Sequence, residues 1–149
     1  MLKPFICVVC EKVIISNDDV ASLIRLFNKI TVFVPDGQEP PPSNGVVPKE
    51  WSIFAGWEYV PEDVGEEFLV CTDIHYPDGT PFGAVSKSKI NLEEGKQRAH
   101  IVQQFQIFPV GQLGDVSIGV WLEHNNEIVG DRSEMKISLE LSQTTVEVK

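Results

Sequence analysis

The chain has 149 residues, 42% hydrophobic and 23% charged, with a formal net charge of −10 at pH 7. This composition excludes a disordered chain and fits one ordinary domain able to bury a core. Twelve Lys and Arg against 22 Asp and Glu argue against nucleic acid as a partner, because neutralising phosphates takes clustered basic side chains. The nearest approach to a basic patch is Lys87 and Lys89 on one face of one strand, with Lys96 and Arg98 beyond, and this reads as a solvated strand face.

No run of about 18 apolar residues exists, so no membrane span is expected. The opening MLKPFICVVCEKVIIS is interrupted by Glu11 and Lys12 and lacks a small-residue cleavage site, which predicts no signal peptide. Three cysteines do not suggest a disulfide framework, and a reducing cytoplasmic location is expected. Cys7 and Cys10 form a C-x-x-C, but inside a β-branched run, where residues three apart face opposite sides. They are expected to be structural thiols with no metal.

In chain order the dominant period is two. Residues 4–16 (PFICVVCEKVIIS) predict a strand covered on both sides, followed by SNDD turn chemistry at 16–19. Residues 20–34 (VASLIRLFNKITVFV) also fit a helical stripe through Val20, Leu23, Ile24, Phe27 and Ile30, but the ITVFV finish favours a strand. Residues 35–50 hold five prolines and read as a long loop that contributes little to the core. Strands follow at 51–60 and 68–76, separated by the acidic turn 61–67. After the PDGT turn at 77–80, further strands are expected at 81–92 and 98–110. Residues 114–141 form a closing hairpin turning at Asn125 and Asn126, and the tail 142–149 is expected to fray. The whole predicts an all-β, single-domain, antiparallel β-sandwich of about eight strands, immunoglobulin-like or C2-like.

Catalytic constellations are sparse. His75, His100 and His124 fall on different strands or turns. Cys71, Asp73 and His75 share a row, but neighbours two apart on a strand are about 6.6 Å apart, too far for a nucleophile and its base. No phosphate-cradling glycine loop or G-x-S-x-G occurs. The acidic residues Glu62, Asp63, Glu66 and Glu67 lack the order of a calcium loop. The expectation is therefore a protein that is not an enzyme, with no cofactor and no metal.

The aromatic residues are more informative. Trp51, Trp57 and Tyr59 share one row and can fill a core. On the closing hairpin Val116, Ile118, Val120 and Leu122 predict an inward row, which leaves Trp121 on the outward side with Ser117, Gly119 and Glu123. Phe108 falls on a row with Gln104 and Gln106. Outward aromatics on neighbouring strands would form a patch of the kind that marks partner surfaces. Trp121, Phe108 and Glu123 are thus the candidate interaction residues.

The segments Cys10-Glu11, Ser22-Leu23-Ile24, Phe27 and Ile30 resemble the opening of a small bacterial family classed only as a domain of unknown function. The resemblance implies a strand over 20–34 and brings no activity or catalytic residues. The expected function is a protein-interaction module that binds itself or a partner protein through an outward sheet face, with no nucleic acid or membrane partner. The alternative is a sandwich that binds a small molecule or carbohydrate using the 35–50 loop and the Trp51/Trp57 strand.

Overall fold

The computed structural model describes residues 2–18 and 20–144. These residues form nine strands: β1 (Lys3–Ile15), β2 (Ala21–Leu26), β3 (Lys29–Pro35), β4 (Val46–Glu58), β5 (Phe68–His75), β6 (Ser86–Ile90), β7 (Arg98–Pro109), β8 (Gly114–His124) and β9 (Glu127–Thr144). A short 3-10 turn spans Pro61–Asp63. The strands make a four-stranded sheet in the order β2-β1-β4-β7 and a five-stranded sheet in the order β3-β9-β8-β5-β6. Two sheets face one another, as the alternating patterns require. The pairing is antiparallel except between β3 and β9, which run parallel.

The core lies between the sheets. From β4 it takes Trp51, Ile53, Ala55 and Trp57, and from β8 Val116, Ile118, Val120 and Leu122. All four β8 residues are at most 1% exposed, so the inward row is the one the alternation predicts. Each such side chain contributes roughly 1.5–3 kcal/mol by leaving water. Asn125 and Asn126, at φ 52° and 65°, make the tight turn into β9. One polar link crosses the core: the Thr72 hydroxyl on β5 donates to Gln103 Oε1 on β7 at 2.6 Å, joining the two sheets.

Four expectations are corrected. Residues 20–34 are two strands in different sheets. The chain crosses over at Phe27 and Asn28, where the Phe27 ring packs edge-on against Phe108 at 6.4 Å. Asn28 O then receives the Ser138 amide at 2.9 Å, which starts the pairing of β3 along β9. The loop is shorter than 35–50, because Val46–Glu58 is already strand; Pro48 sits at a register shift, where a ladder amide is dispensable. Only 86–90 of the expected strand 81–92 is extended in the sheet. Finally, β9 runs through residue 144, past the expected start of fraying, and 145–149 lie outside the described residues.

The first hairpin has an unusual relation to its sheet. β1 pairs with β4 from Lys3↔Glu58 to Cys10↔Ser52, and beyond Cys10 it pairs with β2 alone. Residues 11–15 and 21–24 therefore form a two-stranded arm. Arg25, a non-glycine residue at φ 52°, interrupts β2 opposite Glu11. The inward side of β1 changes there, from the partly buried Val8 and the buried Cys10 to the buried Val13. One side of the arm, with Val13, Ala21 and Leu23, closes over Cys10 and Phe54 in a second, smaller apolar cluster. The other side carries Ile14 and Ile24.

Candidate functional site

The outward face of the five-stranded sheet is built around Trp121. Register pairs Cys71 with Trp121, Asp73 with Gly119 and His75 with Ser117, so these side chains share one surface. Between β8 and β9 the register shifts after Val120↔Ser133 to Leu122↔Val129, leaving extra residues on β9. Such a bulge re-aims side chains. Gly130, at φ 72°, lies in it, and Arg132 emerges from it.

The Arg132 guanidinium lies 4.7 Å from the Trp121 ring centroid. Its Nη2 donates to Asp73 Oδ1 at 2.7 Å, and its Nε lies 3.5 Å from Glu134. A side chain at Gly119 would occupy the space Arg132 uses: a Cβ there would meet the guanidinium and come within 2.6 Å of Asp73 Oδ1. The Trp121 indole N–H donates to Glu123 Oε2 at 3.2 Å. The same oxygen accepts from Cys71 Sγ at 2.9 Å, and Lys87 Nζ reaches Glu123 Oε1 at 3.3 Å. These donors, led by the Cys71 thiol, hold the Glu123 carboxyl below its ordinary range. Burial, reinforced by the Glu123 carboxylate, pushes the Cys71 thiol up to about 12.

Trp121 is therefore on the outward face but only 8% exposed, roofed by Arg132. Glu123 is its partly buried hydrogen-bond partner. Phe108 does not join them. It belongs to the other sheet, is 0% exposed, and meets Trp51 edge-on at 5.1 Å in the core. The alternation of β7 slips between Phe105 and Phe108, where Gln106 and Ile107 are both exposed. Trp51 anchors this stretch by donating its indole N–H to Ile107 O at 2.7 Å and stacking on Phe105.

The remaining candidates are engaged with their own chain. Cys71 bonds Glu123, Asp73 bonds Arg132, and His75 Nδ1 is 3.9 Å from Asp73. The row thus forms no nucleophile–base pair. His100 rests against Phe54 and His124 against Phe68. In the acidic turn Glu66 faces His124, Glu67 pairs with Lys89, and Asp63 accepts from the Val60 amide. Among the described residues no group of three or more His, Cys, Asp or Glu is gathered to hold a metal ion. Cys7 and Cys10 are unlinked, as expected, and sit on opposite sides of β1, Cys7 against the main core and Cys10 in the smaller cluster. No helix is long and apolar enough to cross a membrane among the described residues.

Trp51 and Trp57, 0% and 3% exposed, are core residues that a carbohydrate above the sheet does not reach. The loop before them is tied down. Val110 N–H donates to Gly45 O at 2.9 Å, Tyr76 OH to Asn44 O at 3.0 Å, and Gln112 Nε2 to Ser43 O at 3.1 Å.

Part of the exposed apolar surface lies on the arm and at its base: Ile14 (45%), Ile15 (40%), Val20 (56%), Ile24 (40%) and Leu26 (60%) are open, as Phe33, Leu113 and Ile128 are elsewhere. Below the arm, Cys7, Leu26, Phe27, Met135 and Ile137 line a cleft of about 310 Å³ between β1 and β9. The sequence concealed the arm because KVIIS reads as the end of a strand covered on both faces and VASLI as the start of one continuous strand over 20–34. Their apolar content is that of a core, and only the end of β4 pairing at Cys10 shows that the cover is missing.

No protein-family model matches the chain, and no curated protein matches it.

Proposed function

We propose that the chain is a non-enzymatic β-sandwich module that binds itself or a partner protein through an outward sheet surface, and that this surface is the β1–β2 arm. The carrying observation is that Ile14 and Ile24 lie open on one face of this two-stranded projection, with Val20 open at its tip. Exposed apolar patches on unguarded edge strands are where proteins pair with other chains. The Trp121 face supports the reading less well, because Arg132, Glu123, Lys87 and Asp73 already satisfy one another across it. The assignment of the sandwich as immunoglobulin-like or C2-like belongs to the same proposal; its support is two facing sheets of mostly antiparallel strands. Of the residues that carry the bacterial family resemblance, Glu11, Ser22, Leu23 and Ile24 lie on this arm, whereas Cys10, Phe27 and Ile30 lie off it.

The test is affinity capture with three immobilised forms: the wild-type chain, the Ile14→Lys/Ile24→Lys variant and, as a control on the other face, Ser117→Arg. Captured proteins are identified and titrated in pure form. The arm variant is expected to bind at least tenfold more weakly and the control normally. Equal binding by wild type and arm variant overturns the reading.

The cleft between β1 and β9 favours a second reading, a small-molecule site. Its apolar walls and its volume, at the lower end of the range for ligand pockets, fit a compact apolar compound. A melting-temperature screen of such compounds, repeated on Met135→Trp, tests it: shifts in both forms, or in neither, count against the cleft.

A further inference from the structure

We infer that Cys7 and Met135 form a binding site for a soft monovalent metal ion, copper(I), held between the two sheets in the cleft of β1 and β9. The inference is independent of the arm, and it departs from the expectation from sequence that Cys7 carries no metal.

The two sulfurs come from opposite sheets and from positions 128 residues apart, and the Cys7 thiol donates to Met135 Sδ at 3.8 Å. Strand alternation makes the meeting specific. Cys7 packs against the main core, where Met135 also packs, whereas Cys10 lies in the smaller cluster on the other side of β1. The C-x-x-C therefore does not chelate. Its first cysteine is matched instead with a methionine that no sequence spacing connects to it. Cys7 and Met135 are both half-buried and both line the cleft of about 310 Å³, which gives an ion a way in.

The donor set selects the ion. A thiolate and a thioether are soft ligands and favour copper(I) over the hard cations that take oxygen. Val9, Phe27 and Ile137 beside them are apolar, and among the described residues no carboxylate or imidazole lines the cleft. Zinc(II), which fills its positions with thiolate, imidazole or carboxylate, finds one such ligand here. With metal–sulfur bonds of about 2.3 Å, sulfurs 3.8 Å apart subtend about 110° at the ion. That angle suits a three-coordinate ion and asks little movement of either strand. The third position is left to an external ligand, such as a small thiol, entering through the cleft.

Binding involves no change of oxidation state. The Cys7 S–H bond breaks and its proton leaves to solvent. The thiolate and the thioether each donate an electron pair to the ion, which stays copper(I). The other cysteines are placed differently: Cys71 is held by Glu123 at 2.9 Å, and Cys10 is enclosed with Val13 and Phe54.

The experiment titrates the reduced full chain, without oxygen, with copper(I) presented as its complex with a chromophoric chelator. Wild type is expected to withdraw one copper(I) per chain. Cys7→Ala and Met135→Leu, the latter close to volume-conserving, should each bind at least tenfold more weakly, and Cys10→Ala and Cys71→Ala should bind as wild type does. A second measurement needs no variant. Met135 is the one methionine besides Met1, so its methyl NMR signal should shift when silver(I), a redox-inert soft ion, is added to wild type. Zinc(II) should neither shift that signal nor displace silver(I). Absence of copper(I) uptake, or an unmoved Met135 methyl signal, overturns the site. Uptake that Met135→Leu leaves unchanged shows a thiol acting alone and overturns it as well, as does uptake that follows Cys10 or Cys71 instead of Cys7. Displacement of silver(I) by zinc(II) overturns the assignment to a soft ion.

Discussion

Arg132 covers Trp121: its guanidinium lies 4.7 Å from the indole centroid while Nη2 is held by Asp73 at 2.7 Å. A cation fixed over an aromatic face contributes about 0.5–2 kcal/mol beyond the area it buries. The stack depends on Gly119, because any side chain there meets the guanidinium. Trp121→Ala is therefore expected to destabilise the domain by about 3 kcal/mol, the scale of a buried tryptophan. Gly119→Ala and Arg132→Ala should each cost about 1 kcal/mol. The two together should cost clearly less than their sum, since both remove one interaction. Urea unfolding of the four proteins decides this, and strict additivity would show that Gly119 does not serve the stack.

This relation marks how far the sequence was legible. Alternation put Trp121 opposite Val116, Ile118, Val120 and Leu122, because a side-chain period of two leaves no other choice once one row is buried. It could not show the roof over Trp121. Arg132 reaches the indole through a bulge in β9, and the bulge moves it off the simple register a reader would extend from Asn125–Asn126. Phe108 was misplaced for the same reason: a slip in β7 reverses its side. The division of 20–34 was hidden because an apolar run looks alike whether it stays in one sheet or crosses to the next. Phe27, half-buried between the halves, is what the crossing turns on.

A second prediction concerns the polar bridge through the core. Thr72 donates to Gln103 at 2.6 Å, and Gln103 Nε2 lies 3.4 Å from Ser86 Oγ. Losing one partner strands the other in an apolar interior. Thr72→Val or Gln103→Leu alone should cost about 1–3 kcal/mol. The double substitution should recover much of that loss, since it leaves no buried polar group unmet. A double variant as unstable as the sum of its parts would show that the residues do not act as a pair.

The loop before β4 is expected to matter for folding, contrary to what its prolines suggest. Gly111 is the point of contact: a Cβ there would run into the Pro42 carbonyl and lie 2.6 Å from the Gly45 nitrogen. These are backbone atoms and cannot step aside as a flexible side chain would. Gly111→Ala should thus cost at least about 2 kcal/mol, in the range for overpacking a tight site. Tyr76→Phe, which removes the bond to Asn44 O, should cost about 1 kcal/mol. Replacing residues 38–46 with a Gly/Ser link should lower the melting temperature by at least the Tyr76→Phe effect. Unchanged melting after that replacement would show the loop to be passive.

The last prediction follows from the bond between Cys71 Sγ and Glu123 Oε2 at 2.9 Å. Each group holds the other in one protonation state. Burial and the adjacent carboxylate raise the thiol from its ordinary 9.0 to about 12. The native state then keeps a proton that the unfolded chain gives up above pH 9. Stability should be flat below that point and fall as pH rises from about 9 toward 12. Cys7, raised by burial to about 11, acts in the same direction. Glu123 has the opposite sign. Its carboxyl is lowered from 4.5 by the Cys71, Lys87 and Trp121 donors, so its contribution is present above pH 4.5 and is lost as pH falls through the native value. Cys71→Ala should therefore shrink both limbs, leaving a smaller alkaline loss from Cys7 and a weaker acid loss because Glu123 keeps only Lys87 and Trp121. Melting temperatures of wild type and Cys71→Ala from pH 3 to pH 11 provide the measurement. Parallel curves at both ends would show that the Cys71–Glu123 bond does not couple proton binding to folding. In the same samples at pH 8, native Cys71 should resist alkylation by iodoacetamide while the unfolded chain reacts fully, since the thiolate is the nucleophile and folding suppresses it.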